Sequence, residues 1–519
     1  MCPIRLIRLC AIGLLVFTGC VSVDPRPDYQ NTSRMVTERT GTDEVYEPGI
    51  EPLIEGRISD LLKGGLTTCE AVRVALLNNR QFQSRFQEIG VSRAAVVRSG
   101  LLSNPSLFAG ARLPDGGGRS SLTFSFAQEL VDLWQIPVRK RVAQAQLDRT
   151  VLTVVRGAVD LAADVKIKCY RLLALERAEA IGQENLELAE RSVQLARDRF
   201  DAGEVGKLDV NLARTNLLDL KIRLLRLRRD RELARAVLAR VLGLSRWETP
   251  WTLRDSLPTQ PLPGAENAAL LRFAMEERLD ARAAASRVLA AEGEIARQSL
   301  NVFPSVTLGV EEERPERRAL PGRKILADTG RASIANGRLT APGIQSRGER
   351  NLERRQIIDS LLGPTLSLTL PIWHQNQAEI AKARFKAEQA RKGYEDLLDS
   401  VAEGIATSTA TVRTAAELVR FYEDQSLPLA RANVESARRA YGAGEQSIIA
   451  LIDAQRTLVT QRRAYLDAER DLAIGRAELE QTLGGRMPPA GEIPATGSGD
   501  EAGQKAGSDA NERSIEPDC

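Results

Sequence analysis

One stretch of this chain occurs twice. Val193 to Gly243 aligns without a gap on Val434 to Gly484, so that Arg197 meets Arg438, Phe200 meets Tyr441, and Ala202-Gly203-Glu204 meets Ala443-Gly444-Glu445. Further on, Ala213 meets Ala454, Arg229-Asp230 meets Arg470-Asp471, and Leu242-Gly243 meets Leu483-Gly484. Each copy reads as a helix, a glycine break and a second helix ending at Leu-Gly, the punctuation of a helical hairpin. A gapless duplication of this length restricts the fold to one architecture built twice.

The segments ahead of each hairpin repeat the same plan. Thr67 opens a helix expected to run to about Leu101, with Glu70 as capping-box partner and Ala71, Val74, Phe82, Phe86 and Ile89 along an apolar stripe. At Asn104-Pro105 the period changes from helical to alternating. Strands are expected at about 105–113 and 120–130, joined by the turn Pro114-Asp115-Gly116-Gly117-Gly118, with Leu122, Phe124 and Phe126 on one face. Helical spacing then returns from Val138 to about Asp201, on the order of 90 Å at 1.5 Å per residue. The first hairpin tip falls at 201–207, with Gly203 and Gly206 in the break.

Prolines at 250, 258, 261 and 263 mark a linker over 245–264, and a second repeat follows at 265–485. Its strands are expected at about 304–313, carrying Val306 and Leu308, and 363–372, carrying Leu366, Leu368 and Leu370. Between them lies an insert of about 314–361, rich in Arg, Gly and Pro; Glu311-Glu312-Glu313, at the end of the strand span where this composition begins, reads as solvated loop. The following helix is expected to kink at Pro428 and to reach a second tip at 441–447. From 486 the chain is small and polar and is expected to be disordered.

Runs of about ten residues with one apolar and one Thr/Ser face suit tilted membrane strands. Four such strands leave free edges, and closing a barrel takes roughly eight or more, so several chains must contribute. A formal net charge of +3 gives no sign of a nucleic-acid partner, and 4% aromatic residues suits Ala- and Leu-rich helices packed side by side. No Ser-His-Asp set, Cys-His ligand cluster or phosphate-cradling loop is present, so neither an enzyme nor a cofactor nor a metal centre is expected. His374, the only histidine, reads as a surface residue. Arg139-Lys140-Arg141, at a strand-to-helix junction, could meet lipid head groups or simply solvate the helix start.

The N-terminus is a targeting segment. Arg5 and Arg8, the apolar run Leu9 to Phe17 and Phe17-Thr18-Gly19-Cys20 resemble a bacterial lipoprotein signal, with Phe17 where leucine is usual. That resemblance implies a signal peptide at 1–19, lipidation of Cys20 and a lipidated tether over 20–64. Cys69, Cys169 and Cys519 fit neither a metal site nor a disulfide scaffold.

From about Leu66 to Gly485 the chain resembles the TolC-like outer-membrane efflux proteins. The residues that carry the likeness are Arg199-Phe200-Asp201-Ala202-Gly203 and Tyr441-Gly442-Ala443-Gly444, then Asp453-Ala454-Gln455, Gly363-Pro364 through Leu370-Pro371, and the Leu-Gly helix ends. The resemblance implies a mainly α protein with a membrane portion: a homotrimer forming a twelve-stranded outer-membrane β-barrel that continues into a long periplasmic α-helical barrel. It implies outer-membrane lipid, a periplasmic adaptor and an inner-membrane transporter of the resistance-nodulation-division type as partners. It also implies that the tips form the periplasmic mouth. Gly203, Gly206, Asp209, Tyr441, Gly444, Gln446 and Asp453 match mouth and gate positions; Gln446 stands where an arginine is common, and Ala450 departs from a second acidic position. The implied function is passive export of small molecules or ions. The alternatives are a protein-secretion conduit, or a non-pore coiled-coil adaptor or structural lipoprotein.

Overall fold

The computed structural model describes residues 22–113, 120–244, 250–258, 267–302, 305–315, 323–341, 343, 346–348 and 361–488. Cys20, the turn 114–118, much of the linker and the tail from 489 lie outside the described residues. In chain order the elements are α1 (Arg26–Thr40), α2 (Glu51–Leu62), α3 (Thr68–Asn78), α4 (Arg80–Ser99), β1 (Ser106–Arg112), β2 (Ser121–Glu129), α5 (Asp132–Asp201) and α6 (Lys207–Val241). The second half continues with α7 (Asn267–Glu277), α8 (Leu279–Leu300), β3 (Val306–Arg314), α9 (Arg323–Asn336), β4 (Leu361–Leu368), α10 (Gln377–Phe421), α11 (Leu427–Gly442) and α12 (Ile448–Leu483). No helix among the described residues is long and apolar enough to cross a membrane.

One compact unit gathers Met1–Ala95, Ala145–Leu289 and Glu388–Cys519. Its N-terminal part corrects the expectation of a tether. Tyr29, Val36, Tyr46, Ile54 and Ile58 are buried, the rings of Tyr29 and Tyr46 pack on Phe86, and Asp28 pairs with Arg93 at 2.5 Å. These partners are remote in sequence, so local composition does not reveal them.

The helix expected from Thr67 to Leu101 is two helices. The capping box at Thr67 and Glu70 is present, but Asn79 is extended, at φ −67° and ψ 113°. Asn79 Oδ1 accepts the Phe82 N–H at 2.9 Å and caps α4. Asn78 and Asn79 donate through Nδ2 to the carbonyls of Leu242 and Val241, at 3.1 and 2.8 Å. The break thus satisfies orphan carbonyls at the end of α6. The second repeat does the same with another residue: α7 and α8 are separated at Arg278, whose Nη1 donates to the Thr482 carbonyl at 2.7 Å. Arg278 is buried, and Asp280 holds it at 2.5 Å. Burial alone would push the Asp280 carboxyl up; the Arg278 hydrogen bonds and the Arg156 charge outweigh it and hold the group below its ordinary range. Both Leu-Gly endings of the duplicated stretch are therefore received by a helix break.

The long helices are as the spacing predicts, α5 having 70 residues and so spanning about 105 Å. Pro428 acts differently from a simple kink. The turn Tyr422–Ser426 ahead of it is a π-helix, and the Leu427 N–H reaches back to the Tyr422 carbonyl. Pro428 has no N–H to give, and the widened turn absorbs the mismatch.

The second unit, Val96–Gln144 with Ala290–Ala387, holds a four-stranded antiparallel sheet in the order β1-β2-β3-β4. Its register sets Leu107, Phe126, Val310 and Pro364 in one row, and Ala109, Phe124, Glu312 and Leu362 in the next. Leu308 pairs with Leu366 and Val306 with Leu368. The period of two places Leu122, Phe124, Phe126, Val306, Leu308, Leu366 and Leu368 on a common face. Two expectations need correction here. Leu370 lies beyond the end of β4, and Glu311-Glu312-Glu313 belongs to β3, where pairing to Ser125, Phe124 and Thr123 holds it, rather than to a loop. The insert also carries the helix α9.

Candidate functional site

The two tips are built alike because a left-handed residue ends each descending helix. Gly203 has φ 75° and Gly444 φ 81°. The Glu204 N–H closes on the Arg199 carbonyl and the Gly203 N–H on that of Phe200, both at 2.9 Å. At the second tip Glu445 closes on Ala440 at 2.9 Å and Gly444 on Tyr441 at 3.1 Å. Each pair is a Schellman closure, which uses up the helix's free carbonyls and turns the chain in a few residues. Gly206 and Ser447 are the extended N-cap residues of α6 and α12. Gly203, Gly206, Gly444 and Gln446 are all exposed.

Just inside the tips the hairpins pack on each other. Val193, Ala196, Val210 and Ala213 of the first meet Tyr441, Ile448, Leu451 and Ile452 of the second in one buried cluster. Asp453 is exposed, whereas its counterpart in the first copy, Leu212, packs against the cluster. One layer further in, contacts become polar. Gln455 Nε2 donates to Ser192 Oγ at 2.8 Å, and Arg462 Nη1 donates to Asn185 Oδ1 at 2.9 Å.

The residue that ties the tips together is Arg199. Its guanidinium lies 4.8 Å from the Tyr441 ring centroid, donates through Nη1 to the Tyr441 carbonyl and pairs with Glu204 at 2.9 Å. Tyr441 is 1% exposed. Burial, and after it the Asp209 charge, pushes its phenol above the ordinary value, so it is neutral near pH 7. The Asp209 carboxylate acts on the phenol by its charge and as a side-chain hydrogen-bond acceptor, both raising it, although no partner of the Tyr441 hydroxyl among the described residues meets full hydrogen-bond geometry. Asp209 and Tyr441 thus lie close together, and the Gln446 N–H donates to the Ala440 carbonyl at 3.3 Å. Sequence reasoning passed over Arg199 as a site. Its one signal was an asymmetry: its counterpart in the second copy is Ala440.

Two hairpins meeting at exposed glycine tips, joined to strands with one apolar face, are the parts of an outer-membrane efflux channel. The family model described as outer membrane efflux protein matches residues 71–244 and 270–485, and the chain belongs to that family. It is 22% identical over 433 residues to the cobalt-zinc-cadmium resistance protein CzcC of Cupriavidus metallidurans, over 81% of this chain and 90% of that protein. Among solved structures it is similar to CusC, with a TM-score of 0.63 at 18% identity over 81% of this chain and 92% of the other. It is also similar to the open state of the MtrE outer membrane channel of Neisseria gonorrhoeae, with a TM-score of 0.59 at 19% identity over 80% and 88%. The fold is thus that of a β-barrel in the outer membrane with a periplasmic α-helical barrel. The chain is the outer-membrane channel of a tripartite efflux system, which works with an adaptor and an inner-membrane transporter.

Proposed function

We propose that three copies of this chain close one conduit, that contacts between the two hairpin tips hold its periplasmic mouth shut, and that adaptor docking at Gly203 and Gly444 releases them. The observation that carries this is Arg199, which reaches from the first hairpin to both the ring and the carbonyl of Tyr441 in the second. Trimerisation is supported by the edges of β1 and β4, which no strand among the described residues closes, since a barrel of tilted strands needs roughly eight or more. The conduit is passive, and the transporter supplies the energy.

Asp453, exposed on α12 just behind the apolar cluster, is the acidic constriction in this reading. Three such carboxylates about one axis repel one another and favour cations. Asp453→Ala is expected to abolish block by multivalent cations in planar bilayers and to raise single-channel conductance. Block that is unchanged in the variant removes Asp453 from the gate.

The cargo in this reading is small molecules or metal ions rather than secreted protein, supported by the metal-resistance role in the name of CzcC. Cys20 carries the lipid, and the transporter is of the resistance-nodulation-division type. One purification from crosslinked envelopes, with cysteines beside Gly203 and Gly444, addresses these points. The mature N-terminal peptide should be acylated at Cys20, and the tips should capture an adaptor together with such a transporter. An unmodified N-terminus or a protein-secretion transporter overturns the corresponding part.

A further inference from the structure

Between the hairpins, α5 and α12 meet through apolar residues at two levels and through polar residues at the level between. Toward the tips lies the cluster with Val193, Ala196, Leu451 and Ile452. Further from the tips, Leu173 and Ala174 pack with Leu466 and Ala473. The layer between holds Asn185, Ser192, Asn216 and Gln455, none more than 8% exposed. Such a layer rigidifies a seam when every polar atom is paired, and weakens it when one is left out.

One atom is left out. Gln455 Nε2 donates to Ser192 Oγ, and that hydroxyl donates in turn to the Leu188 carbonyl at 3.1 Å. The other end of the amide, Gln455 Oε1, is shut away from solvent and meets no donor among the described residues. Turning the amide over only moves the shortfall to Nε2. Water is nevertheless close by. The same layer contains a cavity of about 60 Å³ lined by Asn185, Asn216, Gln455, Asp219 and Arg456. The last two side chains are more than half exposed, and one water needs only roughly 10 to 15 Å³. A slight parting of α12 from α5 therefore brings water onto the Gln455 carbonyl, whereas the apolar levels on either side lose contacts by it. The device belongs to one hairpin only, since the counterpart of Gln455 in the first copy is Arg214, which is exposed.

We propose, on the reading that the joined hairpins are the shut mouth, that Gln455 is a residue that favours opening. Its amide oxygen is unpaired while the hairpins are joined and hydrated once they part. It thus opposes the Arg199 contact and sets how readily docking can open the channel.

A hydrogen-bonded clamp and such a residue differ in the sign of their effect when replaced. Gln455→Leu removes both polar atoms and leaves Ser192 bonded to Leu188. It is expected to lower the open probability about tenfold, because an unpaired buried acceptor is gone from the joined state. Planar-bilayer recording reads this in the native chain and in an Arg199→Ala background, where openings are frequent. Gln455→Met, closer to glutamine in shape, should act in the same direction and guards against a packing fault peculiar to leucine. Osmotic stress supplies a readout that a merely structural role would not move. An excluded polymer in the bath should depress the open probability of the native chain more steeply than that of Gln455→Leu, because fewer waters enter the variant's seam on opening. A rise in open probability in both variants makes the Gln455–Ser192 bond a clamp and overturns the proposal, as does an unchanged open probability or an equal osmotic slope. Arg199→Ala alone separates the two readings. If it raises the open probability while Gln455→Leu fails to lower it, the mouth stands without Gln455. If it too has no effect, the joined hairpins are not the shut mouth, and the role of Gln455 falls with that reading.

Discussion

Replacing Arg199 with alanine is expected to raise the open probability of the channel by one to two orders of magnitude. The side chain is mostly buried, with 13% of its surface exposed, so its contacts act in a partly desolvated setting. A cation–π contact of this kind is worth about 1 kcal/mol, and a charged hydrogen bond to a carbonyl about 1.5 to 3 kcal/mol. Their sum of roughly 3 kcal/mol corresponds to about a hundredfold in the equilibrium between joined and parted hairpins. The pair with Glu204 adds little, since that carboxylate is 55% exposed and surface pairs contribute ~0 to 1 kcal/mol. Arg199→Lys should fall between, because an ammonium keeps the charge but loses the planar stack and the fork that reaches the carbonyl. Single-channel recording in planar bilayers reads the effect. Equal open probabilities in a normally folded Arg199→Ala protein would place the latch elsewhere.

The second large effect concerns stability. Gly243→Ala is expected to destabilise the fold by about 2 to 5 kcal/mol, from left-handed strain of ~1 to 2 kcal/mol and overpacking of ~1 to 3 kcal/mol. Gly243 has φ 72°, and an added Cβ would sit 2.5 Å from the Asn78 carbonyl oxygen and 2.7 Å from its Nδ2. Those are the atoms at the break between α3 and α4, so the substitution also loosens the cap on α6. Gly203→Ala has nearly the same φ of 75° but nothing within 4 Å of the added carbon. It should cost only the strain, about 1 to 2 kcal/mol. Denaturant unfolding followed by circular dichroism compares the pair, and equal losses would show that Asn78 yields freely.

The hairpins were legible because a helix writes its period and its end into neighbouring residues. Gly203 and Gly444 ended helices where the apolar spacing stopped, and strands β1 to β3 fell close to where alternation began. Features that rest on remote partners were not legible. The segment at 22–64 is polar enough to look like a tether, yet Tyr29 and Tyr46 close on Phe86. Nothing near Asn79 or Arg278 announces a break, since each is set by carbonyls more than 150 positions away in the chain. Leu370 continued the alternation by type but not by pairing, because β4 ends at Leu368.

The same division holds at the mouth. Read alone, the sequence established that there are two hairpins with glycine turns at their ends, since both follow from local period and from the match between copies; the choice of Asp209, Tyr441 and Asp453 beside those turns came from the family resemblance. Only the tertiary structure decided how the tips are joined. The partner of Tyr441 is Arg199 of the other hairpin, and a contact between residues 242 positions apart is set by how two hairpins pack, which no local pattern encodes.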